Sequence, residues 1–472
     1  MEQKGFEPIR DAKKLGGGKM FILGLQHMFA MFGATVLVPI LVGGYFKDAT
    51  GEPVTRGLTV AVTLFCAGAG TLIFHLCSKF KVPAFLGSSF AFLGGFYTVA
   101  NLNAGRFATM GADEKAAYAC GGVVVAGCLY FILAGIIKLV GIHKVMRFLP
   151  PVVTGPIIIC IGLSLAGSAI SNASTNWILA VTALAVVIVF NIWGRGMFKI
   201  IPILMGVVIP YIIAVILNAA GFTNADGSAL IDYSAVASAS FIGLPHFQLC
   251  KFDITAIFVM APIAIASMME HIGDMSAISA TVGENFIEKP GLHRTLMGDG
   301  LATAFAGLIG GPANTTYGEN TGVLELSKVY DPLVIRIAAV MAIIVSFVPK
   351  FSAIISTMPT AIIGGISFML YGMISAIGVR NMVENRVDLT KSRNLIIAGV
   401  IFVCGLGFSE GLTFEIGSTS ITLTALAIAA IVGIILNAVL PGNDYNFGVN
   451  PKGDRSRGVY ITSSDNETDG EK

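Results

Sequence analysis

The sequence predicts an all-α polytopic membrane protein of fourteen transmembrane segments, arranged as two inverted seven-span repeats with short β-strands in broken spans 3 and 10. Three observations carry that prediction. Of the 472 residues, 55% are hydrophobic and only 12% charged, and mean hydropathy is +0.80. A soluble domain carries roughly twice that share of charge. Apolar stretches of about 20 residues, the length that crosses a hydrocarbon core, recur along the chain. Lys and Arg are unevenly shared among the segments that join them.

In chain order, residues 1–20 form a polar, basic N-tail without the apolar core of a cleavable signal peptide. Apolar stretches follow at 21–43, 57–78, 83–100, 117–140, 150–168, 176–194 and 200–220. The longest polar link, 221–252, separates them from a second set at 253–279, 295–311, 312–328, 332–349, 354–376, 394–409 and 420–440. Residues 441–472 have little apolar content and are expected to be a disordered C-tail. The expected domains are the N-tail, a first repeat (21–220), an extracytoplasmic link (221–252), a second repeat (253–440) and the C-tail.

With the N-terminus inside, 24 of the 30 Lys and Arg fall in inward segments. The other 6 are Lys47, Arg56, Arg106, Lys115, Lys251 and Lys350. Cytoplasmic segments carry the positive excess, so both termini are expected in the cytoplasm, and the number of spans is even. An odd number of spans per half makes the second half enter from the opposite side, the plan of secondary transporters. The short N-tail suits a bacterial inner (plasma) membrane. A formal net charge of +2 gives no reason to expect a nucleic-acid partner. The seven cysteines lie mostly in apolar runs without paired spacing, so no disulfide framework, metal site or cofactor is expected.

Two polar stretches interrupt this apolar pattern. The first is Gly311-Pro312-Ala313-Asn314-Thr315-Thr316-Tyr317-Gly318-Glu319-Asn320-Thr321-Gly322 in span 10. Its Pro and Gly oppose a continuous helix, and broken backbone at membrane depth is tolerated where it lines a cavity. Span 3 has a counterpart in Phe85-Leu86-Gly87-Ser88-Ser89-Phe90-Ala91-Phe92. The β-branched Thr315 and Thr316 suit a short extended segment that pairs with it. The second polar stretch, in span 8, contains Glu270, His271 and Asp274. Glu270 and Asp274, at i and i+4, share one helix face. Desolvation and mutual repulsion oppose ionising both, which is what proton coupling requires. Elsewhere, His27 is expected to serve a structural hydrogen bond, Asp299 to pair with a nearby Lys or Arg, and Glu325 to pair with Lys328.

No nucleotide-binding P-loop, zinc-protease, serine-nucleophile or Cys-x-x-Cys pattern occurs, so neither ATP-driven transport nor a membrane enzyme is expected. Carboxylates accept hydrogen bonds, and Phe90 offers a stacking face. A small planar heterocycle with N–H donors fits, without choosing which one.

At these residues the chain resembles the nucleobase–ascorbate transporter family, and most closely its bacterial uracil branch. The resemblance rests on Gln26 through Pro39, Phe85 through Phe92, Glu270-His271-Ile272-Gly273, Pro290 through Arg294, Asn314 through Asn320, and Leu370-Tyr371-Gly372. It implies a core domain, a gate domain and a homodimer. It further implies that Glu270 and Glu319 hydrogen-bond a pyrimidine, that Gly318 offers its backbone and that Phe90 packs on the ring, with Ala34 nearby. Ser89, Tyr317 and Tyr371 would support the site, and Asp274, Glu270 and His271 would carry proton coupling. One position departs from the uracil pattern: Asp274 stands where uracil members have histidine, as in purine and ascorbate members. The expectation is a proton-coupled uracil symporter working by alternating access. The alternatives are a xanthine or purine symporter coupled to H⁺ or Na⁺ and, from another class, an anion channel or exchanger of the same 7+7 plan.

Overall fold

The computed structural model describes residues 8–47, 56–103, 105–223, 227, 229–408, 411–416, 419–443 and 445. The start of the N-tail and nearly all of the C-tail lie outside them. Helix dominates because hydrocarbon offers a peptide group no partner except another peptide group. Among the described residues, seven helices are long and apolar enough to cross a membrane: Gly17–Tyr45, Val60–Cys77, Ala112–Val140, Pro151–Ala173, Pro202–Ala219, Ile254–Val282 and Thr360–Glu384. Pro332–Ser346 and Pro349–Ser356 together form an eighth, bent by 85°. Pro349 explains the bend: the residue before a proline is driven out of the helical region, and Val348 sits at φ −113, ψ 84. Shorter apolar helices occupy Trp177–Trp193, Ser392–Gly407 and Ala425–Val439.

The two apolar stretches that the sequence reads as broken, 83–100 and 312–328, each hold a short strand. β1 (Leu86–Ser88) pairs antiparallel with β2 (Asn314–Thr316), in the register Leu86↔Thr316, Gly87↔Thr315, Ser88↔Asn314. Each strand then continues into helix, at Leu93–Ala100 and at Gly318–Ser327. Both strands are fully buried, so every backbone group needs a protein partner. Ser89 N donates to Ala313 O at 2.8 Å and Tyr317 N to Phe85 O at 3.0 Å, extending the ladder beyond its three pairs. Side chains from flanking helices brace the rest. Leu86 N donates to Thr71 Oγ1 at 2.9 Å, Thr303 Oγ1 donates to Asn314 O at 2.9 Å, and Asn314 Nδ2 donates to Cys66 O at 3.1 Å.

Gly87 is required at the crossing. A Cβ there would stand 2.4 Å from the Tyr317 ring and 2.7 Å from Thr35 Oγ1. Gly87→Ala is therefore expected to destabilise the fold by about 1–3 kcal/mol, the range for overpacking a filled core, read as a lower unfolding temperature in detergent. The helices behind the strands also pack on small residues. A Cβ on Gly127 would meet Gly300 O at 2.6 Å, so Ala112–Val140 and Leu292–Leu308 touch nearly backbone to backbone.

One element departs from the sequence reading. β3 (Leu412–Ile416) and β4 (Thr419–Leu423) form a second antiparallel pair, where the sequence places a loop and the start of the last span. Both segments are rich in β-branched residues, and the first adds Phe414, which favours strand. The helix begins only at Ala425, after Thr424 caps it by accepting from Ala427 N at 3.4 Å.

Candidate functional site

The helix Ile263–Val282 carries the first part of the site, and the β2–helix junction carries the second. Glu270, Gly273 and Asp274 from the former face Thr315, Tyr317, Gly318 and Glu319 from the latter across one cavity of about 570 Å³. That lies within the ~300–1,000 Å³ usual for small-molecule sites. Phe90, just after β1, joins the wall, and Leu370, Met373 and Ile374 of Thr360–Glu384 close the apolar side. The cavity extends to Asn285, Arg380, Glu384 and Asn385 at the far ends of those helices.

β2 fixes one carboxylate directly. Thr316 Oγ1 donates to Asp274 Oδ2 at 2.8 Å, and both groups are buried. A Cβ on Gly318 would meet Asp274 Oδ1 at 3.7 Å, so the backbone there lies against the same group. Glu270 has a buried Oε2 with no hydrogen-bond partner. An unmet buried carboxylate oxygen is costly, and one at a cavity wall suits a ligand N–H donor. Glu319 sits in the first turn of Gly318–Ser327, where the helix dipole favours negative charge. Tyr317 Oη donates to Ser88 O at 2.9 Å and lies 3.2 Å from Ser88 Oγ, which in turn donates to Thr35 O at 3.0 Å. Tyr317 thus ties β2 to β1 and to Gly17–Tyr45. The rings of Phe90 and Tyr371 meet edge to face with centroids 6.0 Å apart.

Six of the sequence-predicted residues therefore share the cavity wall: Phe90, Glu270, Asp274, Tyr317, Gly318 and Glu319. Tyr371 reaches the site through Phe90. Ala34 and Ser89 are buried in the core and do not line the cavity. His271 points away from it: its Nδ1 stands 3.1 Å from Asp299 Oδ2, with both side chains fully buried. This corrects the expectation that Asp299 pairs with a Lys or Arg. Its helix starts at Leu292, which places Asp299 about two turns inside the fold. The expected Glu325–Lys328 pair is likewise absent from the ion pairs of the described residues. Lys328 adopts the left-handed cap at φ 52, ending the helical geometry that spacing assumed, and Glu325 lines the cavity instead. His27 does serve a structural bond: Asn320 Nδ2 donates to its carbonyl at 3.0 Å and lies 3.2 Å from Nδ1.

Sequence reasoning misses Thr316 as the partner of Asp274. The only signal is the β-branched pair itself, and a strand register is needed to say which residue it meets. A separate cavity of about 890 Å³ contains none of the candidate residues and is lined by Tyr45, Tyr97, Ser168 and Thr360. It adjoins the start of Thr360–Glu384, while the first cavity reaches that helix's end.

A helical membrane fold holding a carboxylate-lined cavity at two broken helices is the build of a membrane transporter. Residues 18–414 match the profile of the permease family, and the chain belongs to that family. It is 40% identical over 440 residues to the uracil permease of Bacillus caldolyticus, covering 90% of this chain and 93% of that one. It is 38% identical over 436 residues to the uracil permease of Bacillus subtilis (strain 168), covering 88% and 91%. In fold it is similar to the transmembrane domain of the cyanobacterial bicarbonate transporter BicA, with a TM-score of 0.57 and 15% identity over 92% of this chain and 100% of that one.

Proposed function

We propose that this protein is a proton-coupled uracil symporter that imports its substrate by alternating access. The observation that carries the reading is the convergence of Glu270, Asp274 and Glu319 with Phe90 on one cavity. Uracil is planar, with ring N–H donors for Glu270 and Glu319 and a face for Phe90. Gly318 offers its backbone, Ala34 lies behind the site, and Ser89, Tyr317 and Tyr371 support it. Asp274, with Glu270 beside it and His271 behind, accepts the coupling proton. The inside-negative potential favours inward movement of that charge by about 2.3 kcal/mol per 100 mV.

The proposal extends to the whole architecture. The chain has fourteen spans in two inverted repeats, 21–220 and 253–440, joined by the extracytoplasmic link 221–252, and a core domain moves against a gate domain. The antiparallel β1–β2 pair, one strand from each half, supports this plan. Both termini are cytoplasmic, and the protein is a homodimer in the bacterial inner membrane. In that orientation the site cavity opens inward.

Labelled-uracil uptake in cells without their own pyrimidine carriers tests the reading. Uptake abolished by a protonophore and indifferent to excess xanthine is the expected result. Uptake that survives the protonophore but requires external Na⁺ would reassign the coupling ion. A second reading, a xanthine or purine symporter, is favoured by Asp274 standing where histidine occurs in uracil members, and uracil uptake blocked by xanthine would establish it. The fold also accommodates a bicarbonate transporter, but a cavity lined by carboxylates repels anions.

A further inference from the structure

We propose that the turn closing the helix Ala112–Val140 binds the headgroup of an anionic phospholipid. Cys128, Ile132, Ile136 and Leu139 are exposed. Their spacings of four, four and three place them along one face of that helix. Leu139 is 87% exposed, at the very end of the stripe. An apolar stripe of this kind faces acyl chains.

Directly beyond it the chemistry changes. Lys138, His143, Lys144 and Arg147 are all exposed, with Phe148 exposed beside them. Lys138, Lys144 and Arg147 take part in none of the ion pairs of the described residues. The sequence has no Asp or Glu between Glu114 and Asp226 that could neutralise them locally. Arg294 stands in the first turn of Leu292–Leu308, the helix that packs against Ala112–Val140 through Gly300 and Gly127.

The cations stand on a fixed platform. Val145, Met146 and Leu149 are buried between them. Asn437 Nδ2 donates to Arg147 O at 3.0 Å and Phe148 O at 3.2 Å, and Asn443 Nδ2 donates to Arg147 O at 3.1 Å. A rigid cationic turn at the foot of a lipid-facing stripe matches a phosphate headgroup above and its acyl chains alongside. Basic clusters just beyond a membrane span attract anionic lipid, by about fivefold per charge at the surface.

The test uses the purified full chain in neutral detergent, with phosphatidylglycerol or phosphatidylcholine added and bound lipids counted by native mass spectrometry. The wild type is expected to retain phosphatidylglycerol preferentially. Lys138→Gln/Lys144→Gln/Arg147→Gln should lose that preference by at least about tenfold, whereas Lys79→Gln/Lys81→Gln should keep it. An unchanged unfolding temperature shows that the triple variant is folded. Equal retention in wild type and triple variant would overturn the proposal, as would equal loss in the Lys79/Lys81 control, which would mean general attraction. Displacement of the lipid by millimolar inorganic phosphate would also overturn it, by showing a site for free anions. The site does not depend on what the protein transports.

Discussion

Glu319→Gln is expected to weaken uracil binding by at least about tenfold and up to about a hundredfold. A hydrogen bond to a charged group contributes roughly 1.5–3 kcal/mol, which is that range of binding constants. The change keeps size and removes charge, and the amide presents an N–H₂ where the ring N–H needs an acceptor. Glu319 lies in the first turn of its helix and lines the cavity, so the substitution perturbs little of the packing. Isothermal titration or scintillation proximity binding on purified protein measures it. Binding within about twofold of wild type would remove Glu319 from the substrate site. Glu270→Gln should act in the same direction, because its unpartnered buried oxygen is the other acceptor offered to the ligand.

Asp274→Asn is expected to separate binding from accumulation. The side chain receives the Thr316 hydroxyl at 2.8 Å, and asparagine can still accept that bond. Substrate affinity should therefore stay within about threefold, since a neutral hydrogen bond is retained. Coupling should not survive, because an amide does not take up and release a proton at this position. The expected signature is uracil exchange that continues in proteoliposomes while uphill accumulation driven by a proton gradient falls to near equilibrium. Normal accumulation by this variant would place the coupling proton elsewhere. Thr316→Val is the companion: it removes the donor and leaves Asp274 titratable, so it should alter the pH dependence of uptake without abolishing accumulation.

Much of this protein is legible in its residues alone. Apolar stretches separated by basic links follow from the cost of burying peptide groups and charges in hydrocarbon, and that cost acts on sequence directly. The break in the stretch 312–328 is visible because Pro312 and Gly318 oppose a continuous helix and Thr315-Thr316 suit an extended segment, and Gly87-Ser88-Ser89 mark its counterpart in the first half. Helix geometry by itself puts Glu270 and Asp274 on one face. Spacing fails where local geometry changes or where a partner is distant. Lys328 leaves the helix, so Glu325 does not reach it. Asp299 meets His271, 28 positions earlier in the chain, rather than a nearby cation. The β3–β4 hairpin is missed because Thr419–Leu423 runs directly into the apolar helix that begins at Ala425, so a reading by composition merges it with that span.

The sequence by itself determined that the chain is a helical membrane protein, where its spans break and which residues are expensive to bury, since each of these depends on local composition and period. Only the tertiary structure decided the register in which β1 meets β2, that Thr316 holds Asp274, that His271 turns to Asp299 and that six of the named residues share one cavity. Those are contacts between segments more than twenty residues apart. Their geometry is set by how helices pack against one another, which no local pattern encodes.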